Sequence, residues 1–233
     1  MALYGRKVSV MLSIAALACG CNETLEADPS ALGVDYYPVE IGQYRIYEVE
    51  EVTFLITGSD TSTYQLRETI IDSLVSLDQT TYLIQRDTRA DAMGEWESDS
   101  LWTVTPTSLN VSVAENNIPF IKLTFPVREG IEWDGNSLNT RGNQTYYYEN
   151  LMSSDFTDVP VEDQIRVIIE DIPENTTGID LRSEVYARTI GLVEKDYITQ
   201  VRCTASSCGD DFGKVESGRS LKQRLIEYGV SNN

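Results

Sequence analysis

From about residue 36 to the C-terminus, apolar and polar residues alternate in short runs, and this period of two is typical of half-buried β-strands. Turn-forming residues separate the runs at intervals that are typical of antiparallel proteins. A helical period is nearly absent, and of the two candidate helices, 149–155 and 221–227, we interpret the second as a strand. The pattern predicts a mainly β protein: a single antiparallel β-rich domain, a sandwich or an open barrel, with few helices. The clearest runs are 52–57, 80–88, 101–105, 109–113, 120–125, 164–170, 182–188, 192–200 and 222–230.

The first residues follow a different pattern. Arg6 and Lys7 precede a charge-free run, residues 8–18, which is too short for a membrane-spanning helix of about 20 residues. A positive start, a short apolar centre and small residues at the exit are typical of a secretory signal peptide. We therefore predict a signal peptide over 1–20, a flexible tether over 21–35 and the β-rich domain over 36–231.

Two cysteines stand at the end of the apolar run. Cys21 follows Gly20, Cys19 follows Ala18, and either position resembles the end of a bacterial lipoprotein signal, where the cysteine is acylated. Cys21 is preferred because glycine is the better residue before the cut, with Cys19 and an unlipidated secreted protein as alternatives. Each buried methylene contributes about 0.8 kcal/mol, so a multiply acylated cysteine is a membrane anchor without a spanning helix.

Another pair, Cys203 and Cys208, lies near the C-terminus. Outside the cytoplasm, two cysteines this close are typical of a disulfide that closes a loop. Their spacing differs from the C-x-x-C of redox enzymes, and a zinc site would need two further ligands that are not nearby. The sequence therefore predicts a disulfide between them.

The charge and the missing histidine narrow the range of functions. With 18 Lys and Arg against 37 Asp and Glu, the net charge of −19 excludes a nucleic-acid partner, which needs a basic face. The absence of histidine excludes Ser-His-Asp and Cys-His catalysis and the H-E-x-x-H zinc site. No glycine-rich nucleotide loop follows a predicted strand, and we predict no cofactor.

Carboxylate chemistry remains open. Glu132 and Asp134 flank Trp133, and a glycosidase needs two carboxylates in one cleft with an aromatic surface for the sugar. Asp134, Asn136 and Asn139 are weak calcium candidates, but the stretch does not match the calcium-loop pattern D-x-[DN]-x-[DN]-G-x5-E. We therefore predict no metal site, and keep a carboxylate-dependent hydrolase acting on glycans as the alternative function.

Three stretches carry a resemblance to a known type of protein. They are YYPVEIGQYRIYEV (36–49), PVREGIEWDGNSLNT (126–140) and EVYARTIGLVEKDY (184–197). In order and spacing they resemble an uncharacterised family of lipoproteins from Bacteroidota, although Thr189 stands where a glycine is common. The resemblance implies an exported, lipid-anchored, β-rich domain and assigns no catalytic residue.

Together these features favour a lipid-anchored cell-envelope protein, on the periplasmic or surface face of the outer membrane. We expect a non-enzymatic binding or scaffolding module whose partner is an extracytoplasmic protein or glycan. Trp133, Tyr146 and Tyr148 are the candidate ligand surface, on the expectation that this tyrosine-rich strand is exposed.

Overall fold

The computed structural model describes residues 29–77, 79–149, 151, 156–157 and 159–231. Within these ranges almost all regular structure is antiparallel β, which confirms the predicted fold class. The helical elements described are α1 (Pro29–Leu32) and two 3-10 segments, Val34–Tyr36 and Ser206–Asp211. The strands are β1 (Gln43–Leu55), β2 (Gly58–Ser76), β3 (Gln79–Arg89), β4 (Glu97–Pro106), β5 (Asn110–Glu115), β6 (Ile118–Thr124), β7 (Glu132–Asp134), β8 (Thr145–Tyr148), β9 (Gln164–Ile172), β10 (Gly178–Ala187), β11 (Gly191–Arg202) and β12 (Val215–Val230).

All the strands join one sheet in the order β6-β5-β4-β3-β2-β1-β12-β11-β10-β9-β8-β7. The sheet curls until its two edge strands meet. The Ile121 amide on β6 donates a hydrogen bond to the Gly135 carbonyl just after β7 (2.9 Å), and Trp133 Nε1 on β7 donates to the Ile121 carbonyl (2.9 Å). Of the two predicted architectures, the structure is therefore a single, nearly closed sheet and not a two-sheet sandwich.

The N-terminal residues mark one end of this sheet, which we call the near end. The Val127 amide donates to the Leu32 carbonyl (2.9 Å), and Arg188 Nη1 donates to the Ser30 carbonyl (2.9 Å). Val127 and Arg188 follow the last residues of β6 and β10. Because the strands are antiparallel, the β2–β3 and β4–β5 turns lie at the same end. The β1–β2, β3–β4 and β5–β6 connections lie at the opposite end, the far end.

The folded domain begins earlier than the sequence pattern predicts. The tether was expected to run to residue 35, but Asp35 is fixed on both its carboxylate and its backbone. Its Oδ1 lies 2.5 Å from Arg188 Nη1, and its carbonyl accepts the Thr189 amide (2.8 Å). The domain therefore includes Pro29 and the residues after it, because tertiary contacts order a stretch whose polar composition alone favoured a flexible chain.

The two candidate helices of the sequence have different outcomes. The strand interpretation of 221–227 is confirmed, because these residues lie within β12. Of the candidate helix 149–155, only Glu149 and Leu151 are described. In the part of the chain that the structure covers, no helix is long and apolar enough to cross a membrane.

Two apolar clusters form the core. The first cluster is built on Ile70, Ile84, Val104, Val111, Leu123, Tyr146, Tyr148, Val167 and Tyr186, and the second on Tyr47, Val49, Leu66, Phe156, Val185 and Leu225.

Candidate functional site

Four charged side chains meet inside the curled sheet, and we call them the interior ion network. They are Glu115 at the end of β5, Lys122 on β6, Glu184 on β10 and Lys195 on β11. Lys122 Nζ lies 2.8 Å from Oε1 of both Glu115 and Glu184, and Lys195 Nζ lies 3.3 Å from the same two oxygens. The Glu184 side chain is 1% exposed and the two lysines 6% and 7%, while Glu115 is 21% exposed. Two cations and two anions are thus balanced away from water.

Tyrosine hydroxyls complete the coordination of Glu184. Tyr186 donates to Oε2 (2.6 Å) and Tyr197 donates to Oε1 (2.7 Å). A buried carboxylate needs this kind of saturation, because an unpaired buried charge is strongly destabilising. The network also joins β5 and β6 to β10 and β11, which lie far apart in the strand order, so it links the two halves of the sheet across the interior.

The electrostatic balance keeps these groups ionised. Burial alone would raise the pKa of the Glu184 carboxyl, but the ammonium groups of Lys122 and Lys195 outweigh it and hold this pKa well below its usual range. The same opposition leaves the pKa of Glu115 lowered. For Lys122, burial acts to lower the pKa, but Glu115 and Glu184 raise it well above its usual value. All three are therefore charged at neutral pH.

The interior leaves little room beside the network. A void of about 20 Å³ lies between Tyr37, Glu68, Trp102 and the four charged side chains. Glu115 and Glu184 are two close carboxylates near a tryptophan, which is the arrangement that the hydrolase alternative requires. A void of this size holds about one water molecule and not a sugar ring, so this pair has no space for a glycan substrate.

Arg86 on β3 connects the network to the far end. Its guanidinium carbon lies 3.8 Å from the centre of the Trp102 ring, and its Nε donates to Glu68 Oε1 (3.1 Å). Its Nη1 lies 3.6 Å from Asp99 Oδ2. The stacking on Trp102 and the ion pairs with Glu68 and Asp99 together hold the planar Arg86 guanidinium in one orientation. Arg86 thereby forms the floor of an open cleft above it.

This far-end cleft has a volume of about 510 Å³, within the range of sites that bind small molecules. Tyr64 and Leu66 supply apolar surface, and Leu66 shares a strand face with Glu68, so the cleft lies on the interior face of the sheet. Glu95 and Glu97 on the rim are exposed, and neither pairs with a cation among the described residues. The two rim carboxylates outnumber the lining cation Arg89, which stacks on Trp96 and donates to Gln65 Oε1, so the cleft favours a ligand with a positive charge. The lining residues are Tyr64, Leu66, Arg86, Thr88, Arg89, Ala90, Gly94, Glu95, Glu97 and Asp99.

The aromatic residues predicted as a ligand surface lie elsewhere. Tyr146 and Tyr148 are each only 4% exposed, and the Trp133 ring packs against both, with ring centres 6.0 and 4.9 Å apart. The Tyr148 hydroxyl also donates to the Thr124 carbonyl (2.6 Å). The expectation that Tyr146 and Tyr148 are exposed is wrong, because β8 turns these alternate tyrosines into the core that closes the sheet.

The carboxylates of Glu132 and Asp134 lie on the opposite face of their strand from Trp133. Glu132 and Asp134 lie two residues apart on β7 and share one face, whereas Trp133 points to the other. A sugar between these carboxylates therefore could not stack on Trp133. Asp134 Oδ1 instead accepts the backbone amides of Asn136 (2.9 Å) and Gln144 (3.0 Å).

The calcium candidates serve this turn. Asn136 Nδ2 donates to the Gly142 carbonyl (2.8 Å), and Asn139 Nδ2 donates to the Pro119 carbonyl (2.7 Å). These are the bonds that asparagine typically makes in loops. Across the residues that the structure describes, no group of three or more Asp, Glu, Cys or His side chains is placed to hold a metal ion.

The cysteine predictions fall into two groups. A disulfide joins Cys203 and Cys208, with Cα atoms 6.1 Å apart, and this prediction is confirmed. The bridge lies at the far end, in the connection between β11 and β12. Cys19 and Cys21 lie outside the described residues, so their lipidation stays a prediction.

Sequence analysis missed the interior ion network and the far-end cleft. One signal was present, since Lys122 stands in the middle of the apolar run IPFIKLTF, where a charge requires a buried partner. Its partner Glu115 lies on the neighbouring strand β5, but Glu184 on β10, 62 residues away, and Lys195 on β11 had no local signal. The cleft residues are ordinary strand and loop residues on three consecutive strands, β2 to β4, which pair directly with one another.

Comparison with known proteins identifies no family for this chain. No family model matches it, and no curated protein matches it. Among solved structures, it is similar to a protein of Bacteroides fragilis NCTC 9343 described as exported and as having a YmcC-like fold. The match covers 82% of this chain and 98% of that one, with 12% identity and a TM-score of 0.42, a similarity too low to carry a function across.

Proposed function

We propose that this chain is a lipid-anchored cell-envelope protein that binds a small ligand, without catalysis, in the far-end cleft. The observation that carries the proposal is the cleft of about 510 Å³, with an apolar wall, a fixed arginine floor and an acidic rim. The ligand chemistry that fits is an apolar group joined to a positive charge. The anchor is the acylated Cys21, or Cys19, behind the signal peptide.

The position of the N-terminal residues is compatible with this arrangement. Pro29 lies eight positions after Cys21, and a fully extended chain of that length spans at most about 29 Å. Pro29 lies at the near end, so the near end stays close to the membrane while the cleft opens at the opposite end. A ligand in solution therefore reaches the cleft without crossing the head-group layer.

The anchor is tested by labelling cells with radioactive palmitate. We expect label in the wild-type protein and in Cys19→Ala, and its loss in Cys21→Ala, because the acylated residue is the one that follows Gly20. Loss in Cys19→Ala alone would move the anchor to Cys19. Label that is absent from the wild type, or that survives replacement of both cysteines, would refute lipidation here.

The cleft is tested with three ligands that share one tail: hexylamine, hexanol and hexanoate. We expect hexylamine to bind most tightly and hexanoate least tightly by calorimetry, because Glu95 and Glu97 attract the ammonium and repel the carboxylate. Glu97→Gln should weaken hexylamine binding about threefold to fivefold, which corresponds to an exposed charge pair of about 0.6–1 kcal/mol. Binding of hexanol should stay unchanged in this variant.

The matched control for this measurement is Glu129→Gln. Glu129 is an exposed acid in the segment between β6 and β7, away from the cleft lining. The Glu129→Gln substitution removes the same charge from the chain as Glu97→Gln does. Because Glu129 lies away from the cleft, hexylamine binding should stay within twofold of wild type. Equal affinities for the three ligands, or equal losses in the two variants, would refute a cation site at the cleft.

A further inference from the structure

The near end carries a group of exposed apolar side chains, which we call the near-end tip. Leu74 and Val75 at the end of β2 are 58% and 75% exposed, Leu77 in the β2–β3 turn is 98% exposed, and Leu109 in the β4–β5 turn is 69% exposed. The two turns are neighbours, because Leu77 and Pro106 line one groove. Four largely exposed apolar side chains at one end of the sheet favour an interaction surface there.

The backbone at Leu77 strengthens this interpretation. Ser76 pairs with Gln79, so the turn between them has two residues. Leu77 has a φ of +50°, a conformation for which such turns strongly prefer asparagine, aspartate or glycine. A leucine there is both strained and fully exposed, and neither property stabilises the fold. A partner that receives the side chain would account for a leucine at this point of the hairpin.

The charge pattern indicates which kind of partner fits. Residues 71–82 and 105–110 contain no lysine or arginine, and their charged residues are Asp72 and Asp78. The remaining positions are apolar, Ser, Thr, Asn, Gln, Pro and Tyr. An anionic partner would gain nothing electrostatically from such a surface. The tip therefore suits a partner that accepts apolar side chains among neutral polar groups, as the interface of a zwitterionic bilayer does.

The position of the near-end tip selects the bilayer over another protein. The tip lies at the same end of the sheet as Pro29, and the proposed lipid is attached eight residues before Pro29. We propose that the near-end tip inserts into the head-group region of the membrane and fixes the orientation of the domain. This inference rests on the proposed lipid anchor. It adds a second contact that holds the far-end cleft away from the lipid surface.

The experiment places an environment-sensitive fluorophore at single positions of the lipidated full-length protein on phosphatidylcholine vesicles. Leu77→Cys carries the label at the tip, and Leu55→Cys carries it at the far end, where Leu55 is similarly apolar and 53% exposed. Wild-type protein taken through the same labelling gives the background, since Cys203 and Cys208 are joined. We expect a blue shift, and quenching by head-group-labelled lipids, at residue 77 and neither at residue 55.

The insertion should also be insensitive to salt between 50 and 500 mM, because no basic residue contributes to it. In protein labelled at residue 77, Val75→Ser should reduce the quenching at least twofold, while Phe212→Ser at the far end leaves it unchanged. Vesicle-bound protein whose residue-77 label stays in water would overturn this inference and leave the anchor standing. A blue shift without lipid quenching would also overturn it, in favour of a second copy of the chain. Failure of the wild type to stay on vesicles would instead refute the anchor.

Discussion

Replacing Lys122 by methionine is expected to lower the free energy of unfolding by about 3–5 kcal/mol, the usual result of removing one partner of a buried ion pair. The side chains are similar in size, so the loss comes from charge and not from a cavity. Glu184 would keep its two tyrosine hydrogen bonds but lose a cation at 2.8 Å, and Glu115 would lose one at the same distance. Chemical denaturation followed by tryptophan fluorescence measures the change.

Two further variants make this prediction specific. Lys214→Met removes a lysine that is 59% exposed and paired with Asp211, and it should change stability by less than about 1 kcal/mol. Lys122→Met combined with Glu184→Gln should recover part of the loss, because the buried charge and its partner disappear together. A Lys122→Met protein as stable as Lys214→Met would show that the interior ion network does not support the fold.

The second large effect is on the acid side of the stability profile. The pKa of Glu184 is lowered in the folded protein, whereas an unfolded glutamate titrates near 4.3. The ionised form therefore stabilises the fold fully above about pH 5, and this contribution is lost as pH falls through the unfolded value toward the folded one. Each unit of difference is worth about 1.4 kcal/mol, so the melting temperature should fall steeply between pH 5 and pH 3.

The rest of the chain opposes this trend, which makes a comparison necessary. With a net charge of −19, protonation of surface carboxylates relieves repulsion and by itself stabilises the protein in mild acid. The double variant Lys122→Met/Glu184→Gln retains the Lys195–Glu115 pair but lacks the most strongly perturbed carboxylate. Its melting temperature should depend less on pH than that of the wild type between pH 5 and pH 3. Parallel profiles would exclude Glu184 as the cause.

Trp102 contributes to both the core of the sheet and the proposed ligand cleft. Trp102 packs against the first apolar cluster and also lies under the Arg86 guanidinium that forms the cleft floor. The network stabilises the contact between β5–β6 and β10–β11 from inside. The proposed cleft therefore stands on a pre-organised floor, so we expect ligand binding to change the described structure little.

The amino-acid sequence by itself determined the class of fold and its local chemistry. Alternation at every second residue defines strands because side chains alternate across a strand, and this holds whatever the strands pair with. The disulfide between Cys203 and Cys208 was equally predictable from local sequence, since the two cysteines are only five positions apart. A period of two does not state which face is interior, however. For this reason the tyrosines at 146 and 148 were assigned to an exposed surface.

Only the tertiary structure decided which distant side chains come into contact. The curl of the sheet brings Lys122 on β6 against Glu184 on β10, 62 residues later. The antiparallel strand order places Leu77 and the N-terminal residues at one end. Local patterning reports burial and turn preference, whereas contacts across the interior depend on strand order and curvature. No stretch of neighbouring residues encodes those alone, because they arise from the packing of all the strands together.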